Sequence, residues 1–163
     1  MQKAKKRLLC YVIALVSMLI LASNLQAATL TIGSVSSSPG TKNISIPMNL
    51  SSASGERVCG FNFDLNYDAS KLSFKDVTLG SAATEVGKSL SYSQPSSNTV
   101  RIVVIGLNQN VIGNGEVLTF TFNVLNNAPV GKAELTITKA SISDPNGKSL
   151  AVKTSEVELL VLR

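Results

Sequence analysis

The sequence predicts an all-β domain, a β-sandwich or jelly roll, carried behind an N-terminal secretory signal peptide. Three observations predict it. Eight or nine segments after residue 27 carry apolar residues at strand spacing, most of them alternating apolar with polar. Turn clusters of Pro, Gly, Asn and Ser separate them at regular intervals. Beyond the leader no stretch keeps a helical period for more than about two turns, and no repeat or linker interrupts the pattern.

The leader comes first. Lys3, Lys5, Lys6 and Arg7 precede an apolar run from Leu8 to Ala22, and a short stretch ends in Gln26, Ala27 and Ala28. A basic start, a short apolar centre and small residues at the end are the pattern of a cleaved export signal, and the run is too short to favour a permanent membrane span. Residues 1–27 are therefore expected to be removed, with cleavage after Ala27 or Ala28, leaving a single domain over residues 28–163 that is secreted or periplasmic. Roughly 135 residues are enough to bury about two thirds of the unfolded surface without disulfides.

Removing the leader changes the charge balance. The whole chain carries 15 Lys and Arg against 10 Asp and Glu. Four of the basic residues lie before Leu8, so the domain keeps 11 against 10. The high sequence pI of about 9.4 thus belongs to the leader, and nothing basic is left to suggest nucleic acid or an anionic membrane as partner. Cys59 is the one cysteine of the domain, which excludes a disulfide framework within it; it is expected to be a small buried residue on a strand.

Taken in order, Ala28–Val35 alternates Leu30 and Ile32 with Thr29 and Thr31, and Pro39–Gly40 marks a turn. Lys42–Leu50 sets Ile44, Ile46, Met48 and Leu50 on one face, and Pro47 on the other side argues for a strand near an edge. Val58–Tyr67 is the clearest alternation, with Phe61, Phe63, Leu65 and Tyr67 opposed to Gly60, Asn62, Asp64 and Asn66. A strand at Leu72–Thr78, a loop at Gly80–Gly87 and a short strand near Ser89–Gln94 follow. Lys132–Ser143 is a long strand, Asp144–Lys148 a tight turn in which Asn146 and Gly147 are able to take positive φ, and Ser155–Leu162 the last strand.

Between these, Val100–Val124 holds two strands of different character. Val117–Val124 alternates Leu118, Phe120, Phe122 and Val124 with Thr119, Thr121 and Asn123, as a strand with one wet face does. Val100–Leu107 carries Ile102 and Val104 on one side and Val103 and Ile105 on the other, so both its faces are apolar. One face of a strand in a two-layer protein meets the core, and the other is either covered or offered to a partner.

The residues leave little room for catalysis. There is no histidine in the chain, which removes the commonest general base, the Ser/His and Cys/His pairs and the usual zinc ligand. Asp64, Asp68, Asp76, Glu85 and Glu116 sit at strand ends or on polar faces, where carboxylates act as solvated charges and turn caps rather than as a glycosidase pair. The sequence DPNGK at 144–148 lacks the further ligands of a calcium loop, and Gly106, Gly113 and Gly115 do not follow phosphate-loop spacing. No catalytic residue, cofactor or metal is therefore expected. Flat exposed rings suited to sugar stacking are scarce as well, since tryptophan is absent and Tyr92 is the one candidate.

The stretches TLTIGSVSSSPGTKNISIPMNL at 29–50, GFNFDLNYDASKLSFKDVTLG at 60–80 and IGLNQNVIGNGEVLTFTFNVLNNAPVGKAELTI at 105–137 resemble the cohesin family over nearly the whole domain. The resemblance implies a nine-stranded jelly-roll β-sandwich, related in fold to carbohydrate-binding modules, that is not an enzyme and binds dockerin domains of cellulosomal enzymes and surface proteins. In that family the dockerin docks on one sheet face. Carried over position by position, the resemblance points to Gly60, Asn62, Asp64 and Asn66 on one strand and to Ile102, Val104 and Gly106 on another as partner-binding residues. Asn62 and Leu107 stand where acidic contacts are frequent in the family. The expected role is thus a secreted, non-catalytic protein-binding module with a dockerin-type partner. The alternatives are polysaccharide binding through Tyr92 and the Asn108–Asn114 loop, or a structural part in a surface assembly.

Overall fold

The computed structural model describes residues 27–53 and 55–161; apart from Ala27, the expected leader lies outside them. Two sheets face each other. The first has the order β11 (Val152–Thr154), β1 (Ala28–Ile32), β3 (Ile44–Ser51), β8 (Gly115–Val124), β5 (Leu72–Leu79). The second has the order β2 (Ser36–Ser37), β12 (Val157–Val161), β9 (Gly131–Ser143), β4 (Gly60–Tyr67), β7 (Thr99–Ile105), β6 (Ser89–Ser96), with β10 (Ser149–Leu150) paired to β9. Nine of these strands have five or more residues, in agreement with the expected nine-stranded sandwich.

The core lies between the sheets and is built from the predicted alternation. Ile44, Ile46, Met48 and Leu50 of β3 and Phe120, Phe122 and Val124 of β8 turn inward from one sheet, and Phe61, Phe63, Leu65 and Tyr67 of β4 from the other. Rings interlock across the gap: Phe63 meets Phe120 edge-on at a centroid distance of 6.4 Å, and Tyr67 meets Phe122 at 5.1 Å. Such edge-to-face pairs add about 1 kcal/mol each beyond the area they bury.

Both ends of the described chain pass from one sheet to the other. The segment read as one strand at Ala28–Val35 is split: β1 pairs with β3 in the first sheet, and after Gly33 the chain crosses to make β2 in the second. The C-terminal segment makes the same crossing as β11 and β12, running parallel to β1 and β2. Ser155 N–H donates to the Leu30 carbonyl and Leu160 N–H to that of Val35, each at 3.1 Å, so the two crossings are bonded to each other.

Three local expectations are corrected. β3 is central in its sheet, although Pro47 suggested an edge. The proline is tolerated because its carbonyl accepts from Gly33 N at 2.7 Å just past the end of β1, so the side that lacks a donor faces a place where the ladder has already stopped. Gly33 is needed there, as a Cβ would lie 2.8 Å from Pro47 Cγ. The loop at Gly80–Gly87 contains one helical turn, α1 (Ser81–Thr84), too short to leave a period in sequence. In the 144–148 turn Gly147 alone takes a positive φ, +79°, while the Asp144 carboxylate accepts from the N–H groups of Asn146 and Lys148, both at 2.8 Å.

Candidate partner-binding face

The outer side of the second sheet is formed by β6, β7, β4 and β9. In antiparallel pairs, residues directly opposite share a face. Phe61, Phe63 and Leu65 pair with Val104, Ile102 and Val100, so all six point into the core. Ile102 and Val104 are completely buried, which corrects their expected outward placement. The outward row of β7 is Thr99, Arg101, Val103 and Ile105, which pairs with Asn66, Asp64, Asn62 and, beyond the register, Gly60. Sequence did contain the deciding signal. Of the two rows on β7, Val100, Ile102 and Val104 hold no polar residue, whereas the other holds Arg101 and Thr99.

The double-sided apolar character of β7 survives this correction with its sides exchanged. Val103 is half-buried, Ile105 is 58% exposed, and Leu107, two residues past the strand end, is fully exposed. Across from Val103 stand Asn62 on β4 and Ser91 on β6, and across from Ile105 stands Ser89. Gly60 is buried and closely packed at this end of the face: a Cβ there would lie 3.0 Å from the Val104 carbonyl oxygen, 3.5 Å from Ile105 Cγ2 and 3.7 Å from Ser143 Oγ. Gly106 has the same economy of space, since a Cβ would meet Lys88 Cδ at 3.1 Å and the Gly87 carbonyl at 3.2 Å.

The other half of the face is polar and internally bonded. Asn66 donates through Nδ2 to Thr138 Oγ1 at 2.9 Å and accepts from Thr99 Oγ1 at 2.8 Å. Asp64 is outward in register yet only 3% exposed, because two cations close over it. Arg101 holds it with both arms of a fork, Nε to Oδ1 at 2.7 Å and Nη2 to Oδ2 at 2.9 Å, and Lys139 Nζ reaches Oδ2 at 3.0 Å. These bonds, Arg101's first, hold the Asp64 carboxyl down to about 2, against the opposing effect of burial.

Lys139 reaches Asp64 because the β9 backbone is bent. Asn62 pairs with Ser141 and Asp64 with Thr138, so Lys139 and Ala140 together oppose Phe63 in a β-bulge. Lys139 takes φ +53° there, a left-handed conformation that costs a residue with a Cβ about 1 kcal/mol. No periodicity in β9 announces this, and the pairing of Lys139 with Asp64 was not foreseen from sequence.

Cys59 differs from its expected setting. It precedes β4 and is half-buried rather than buried, with its thiol donating to the Asn108 carbonyl at 3.6 Å and Lys88 Nζ 3.3 Å from Sγ. Lys88 is 5% exposed and also donates to Asn108 Oδ1 at 3.0 Å, which ties the 108–114 loop to the start of β6. Tyr92 is 45% exposed, but it lies opposite inward-facing Ile102 at the open edge of the sandwich. Its ring meets Phe74 edge-on at 5.8 Å and its hydroxyl donates to Asp76 at 3.0 Å, so it closes that edge instead of lying flat on the outer face. Among the described residues no group of three or more Cys, Asp or Glu is arranged to hold a metal, and no helix is long and apolar enough to cross a membrane.

Residues 28–159 match the family described as the cohesin domain. The chain belongs to the cohesin family. Cohesin domains are non-catalytic protein-binding modules. Solved cohesins share the fold. The sixth cohesin of Acetivibrio cellulolyticus scaffoldin B, in complex with a mutant Cel5 dockerin, superimposes with a TM-score of 0.75 at 22% identity, covering 83% of this chain and 99% of that one. A non-cellulosomal cohesin from the hyperthermophilic archaeon Archaeoglobus fulgidus gives a TM-score of 0.71 at 23% identity, covering 84% of this chain and 92% of that one. The cohesin CaCohA2 of Clostridium acetobutylicum gives 0.72 at 23%, with coverages of 83% and 91%. No curated protein matches the sequence.

Proposed function

We propose that this cohesin domain is a secreted, non-catalytic adaptor that binds a dockerin-type protein partner through the outer face of β6, β7, β4 and β9. The observation that carries the proposal is the second apolar row of β7: Val103 and Ile105 lie on a sheet face that the described residues of the chain leave partly open, and Leu107, past the strand end, is fully exposed. Covering the part of half-buried Val103 and of 58% exposed Ile105 that still meets water contributes about 1 to 1.5 kcal/mol each before the costs of association. Asn62 and Asn66, with Arg101 and Lys139 closed over Asp64, supply the polar rim beside them. The basic, apolar and small-residue segments of residues 1–27 support export of the domain.

Support for the partner class comes from the family and from cohesin structures solved with dockerins bound. The test is titration of the domain against purified dockerin domains encoded by the same genome, with a Val103→Ser/Ile105→Ser double variant alongside. Binding by at least one dockerin, weakened about 100-fold in the variant, supports the reading. Failure of every dockerin to bind, or equal affinity for both proteins, overturns it.

A further inference from the structure

We infer that the partner presents a carboxylate next to an apolar side chain, so that its acidic group meets Arg101 and Lys139 while the apolar group covers Val103 and Ile105; this rests on the dockerin-binding reading above. The inference comes from the charge left at the centre of the face. Asp64 is the one acidic residue of the outward row on β4, and both of its oxygens are already taken by Arg101 and Lys139. One negative charge against two positive ones leaves the cluster with a single net positive charge. Its exposure is equally one-sided: the Asp64 side chain is 5% exposed, Arg101 50% and Lys139 73%. An approaching surface therefore meets cations and not the carboxylate.

The cluster is built to stay in that arrangement. The Asp64 fork uses two of the five guanidinium N–H groups of Arg101 and fixes its plane, which leaves a preorganised donor edge of the kind that suits a second carboxylate. Lys139 is brought to the same place by the bulge and its left-handed backbone. A Lys aimed at an already bidentate Asp adds little that Arg101 does not supply, whereas it doubles the positive charge offered outward. Arg101 and Val103 are alternate residues on one strand, roughly 7 Å apart, which sets the spacing of the acidic and apolar groups on the partner. The neighbours of the cluster on the face, Asn62, Ser93, Ser141 and Thr138, are uncharged.

The experiment uses the dockerins that bind in the titrations above, against wild type, Lys139→Gln and Arg101→Gln/Lys139→Gln. Lys139→Gln keeps the Asp64–Arg101 fork and so separates loss of charge from loss of structure; thermal midpoints check the fold of each variant. The expected result is that the double variant binds about 10- to 100-fold more weakly at about 50 mM salt, that Lys139→Gln loses about 3- to 10-fold, and that both differences shrink at about 500 mM salt. Replacing an Asp or Glu on the dockerin's docking surface with Lys should reproduce the loss, and pairing that dockerin with Arg101→Glu should restore part of it. If a dockerin binds wild type and the charge-depleted variants within twofold, this inference falls and the adaptor reading stands. If no dockerin binds, both fall together.

Discussion

β7 and β8 follow each other in the chain, each has neighbours on both sides, and each presents a fully buried inner row, yet their outer rows differ in kind. On β8 the outward residues are Glu116, Thr119, Thr121 and Asn123. Their needs are met within the chain: the Thr119 hydroxyl donates to the Glu116 carboxylate, and the Asn123 side chain accepts from Asn43 N at 2.9 Å. On β7 the outward Val103 and Ile105 have no such local remedy, because an exposed methyl group is satisfied only by being covered. A polar outer row is satisfied within its own sheet, and an apolar one leaves methyl groups in contact with water.

The sharpest way to break the comparison is to exchange the two sides of β7. Val104→Asp places a carboxylate in the closed core and should cost at least about 4 kcal/mol, leaving no cooperative transition in urea at room temperature. Val103→Ser, one residue away and outward, should cost less than about 1 kcal/mol in the same measurement while removing most partner binding. Similar losses of stability from both would mean that the outer row is covered by the chain itself.

The β8 side can be tested at its own irregularity. Met48 pairs with Leu118 but Asn49 with Glu116, so Val117 is an extra residue that turns inward beside Leu118. The Val117 carbonyl accepts from Gly80 N at 2.9 Å, and a Cβ on Gly80 would lie 2.4 Å from the Glu116 carbonyl oxygen. Gly80→Ala should therefore cost roughly 2 kcal/mol by thermal unfolding, with partner affinity unchanged because the β7 face is not involved.

A smaller effect comes from pH. The folded Asp64 carboxyl is held at about 2, below its ordinary 3.8, so its contribution is complete above about pH 4 and is lost as pH falls toward 2. Screening around half-exposed Arg101 keeps that contribution near 1 kcal/mol. Asp64→Asn should flatten this part of the acid unfolding curve; an unchanged curve would show that other carboxylates account for it. Thr121→Lys, on the outer row of β8, should be smallest of all, within about 0.5 kcal/mol in stability and without effect on binding.

The sequence carried the sandwich because it is written in alternation: Phe61, Phe63 and Leu65 on β4 and Phe120 and Phe122 on β8 read directly as inner rows. It carried the existence of a second apolar row on β7 for the same reason. Which row faced out could not come from apolarity, as both rows are apolar; it came from strand pairing, and Arg101 was the one residue that marked the outer side. Pro47 misled because an edge is local, and β3 lacks a neighbour only where β1 has ended. The grip of Lys139 on Asp64 depends on one extra residue in β9, a register event that leaves the composition of the strand untouched.

The two crossings at the ends of the described chain have a mechanical consequence. Ala28 lies beside Val152 and Val161 beside Ser37, with both segments running the same way between these points. A force that draws Ala28 and Val161 apart slides the paired segments lengthwise past each other, so their hydrogen bonds stretch together rather than opening one at a time. A domain loaded in this way yields at a high force and at a rate set by its unfolding barrier rather than by its equilibrium stability. A load pulling on the two ends is then borne by a bonded seam, away from the outward row of β7.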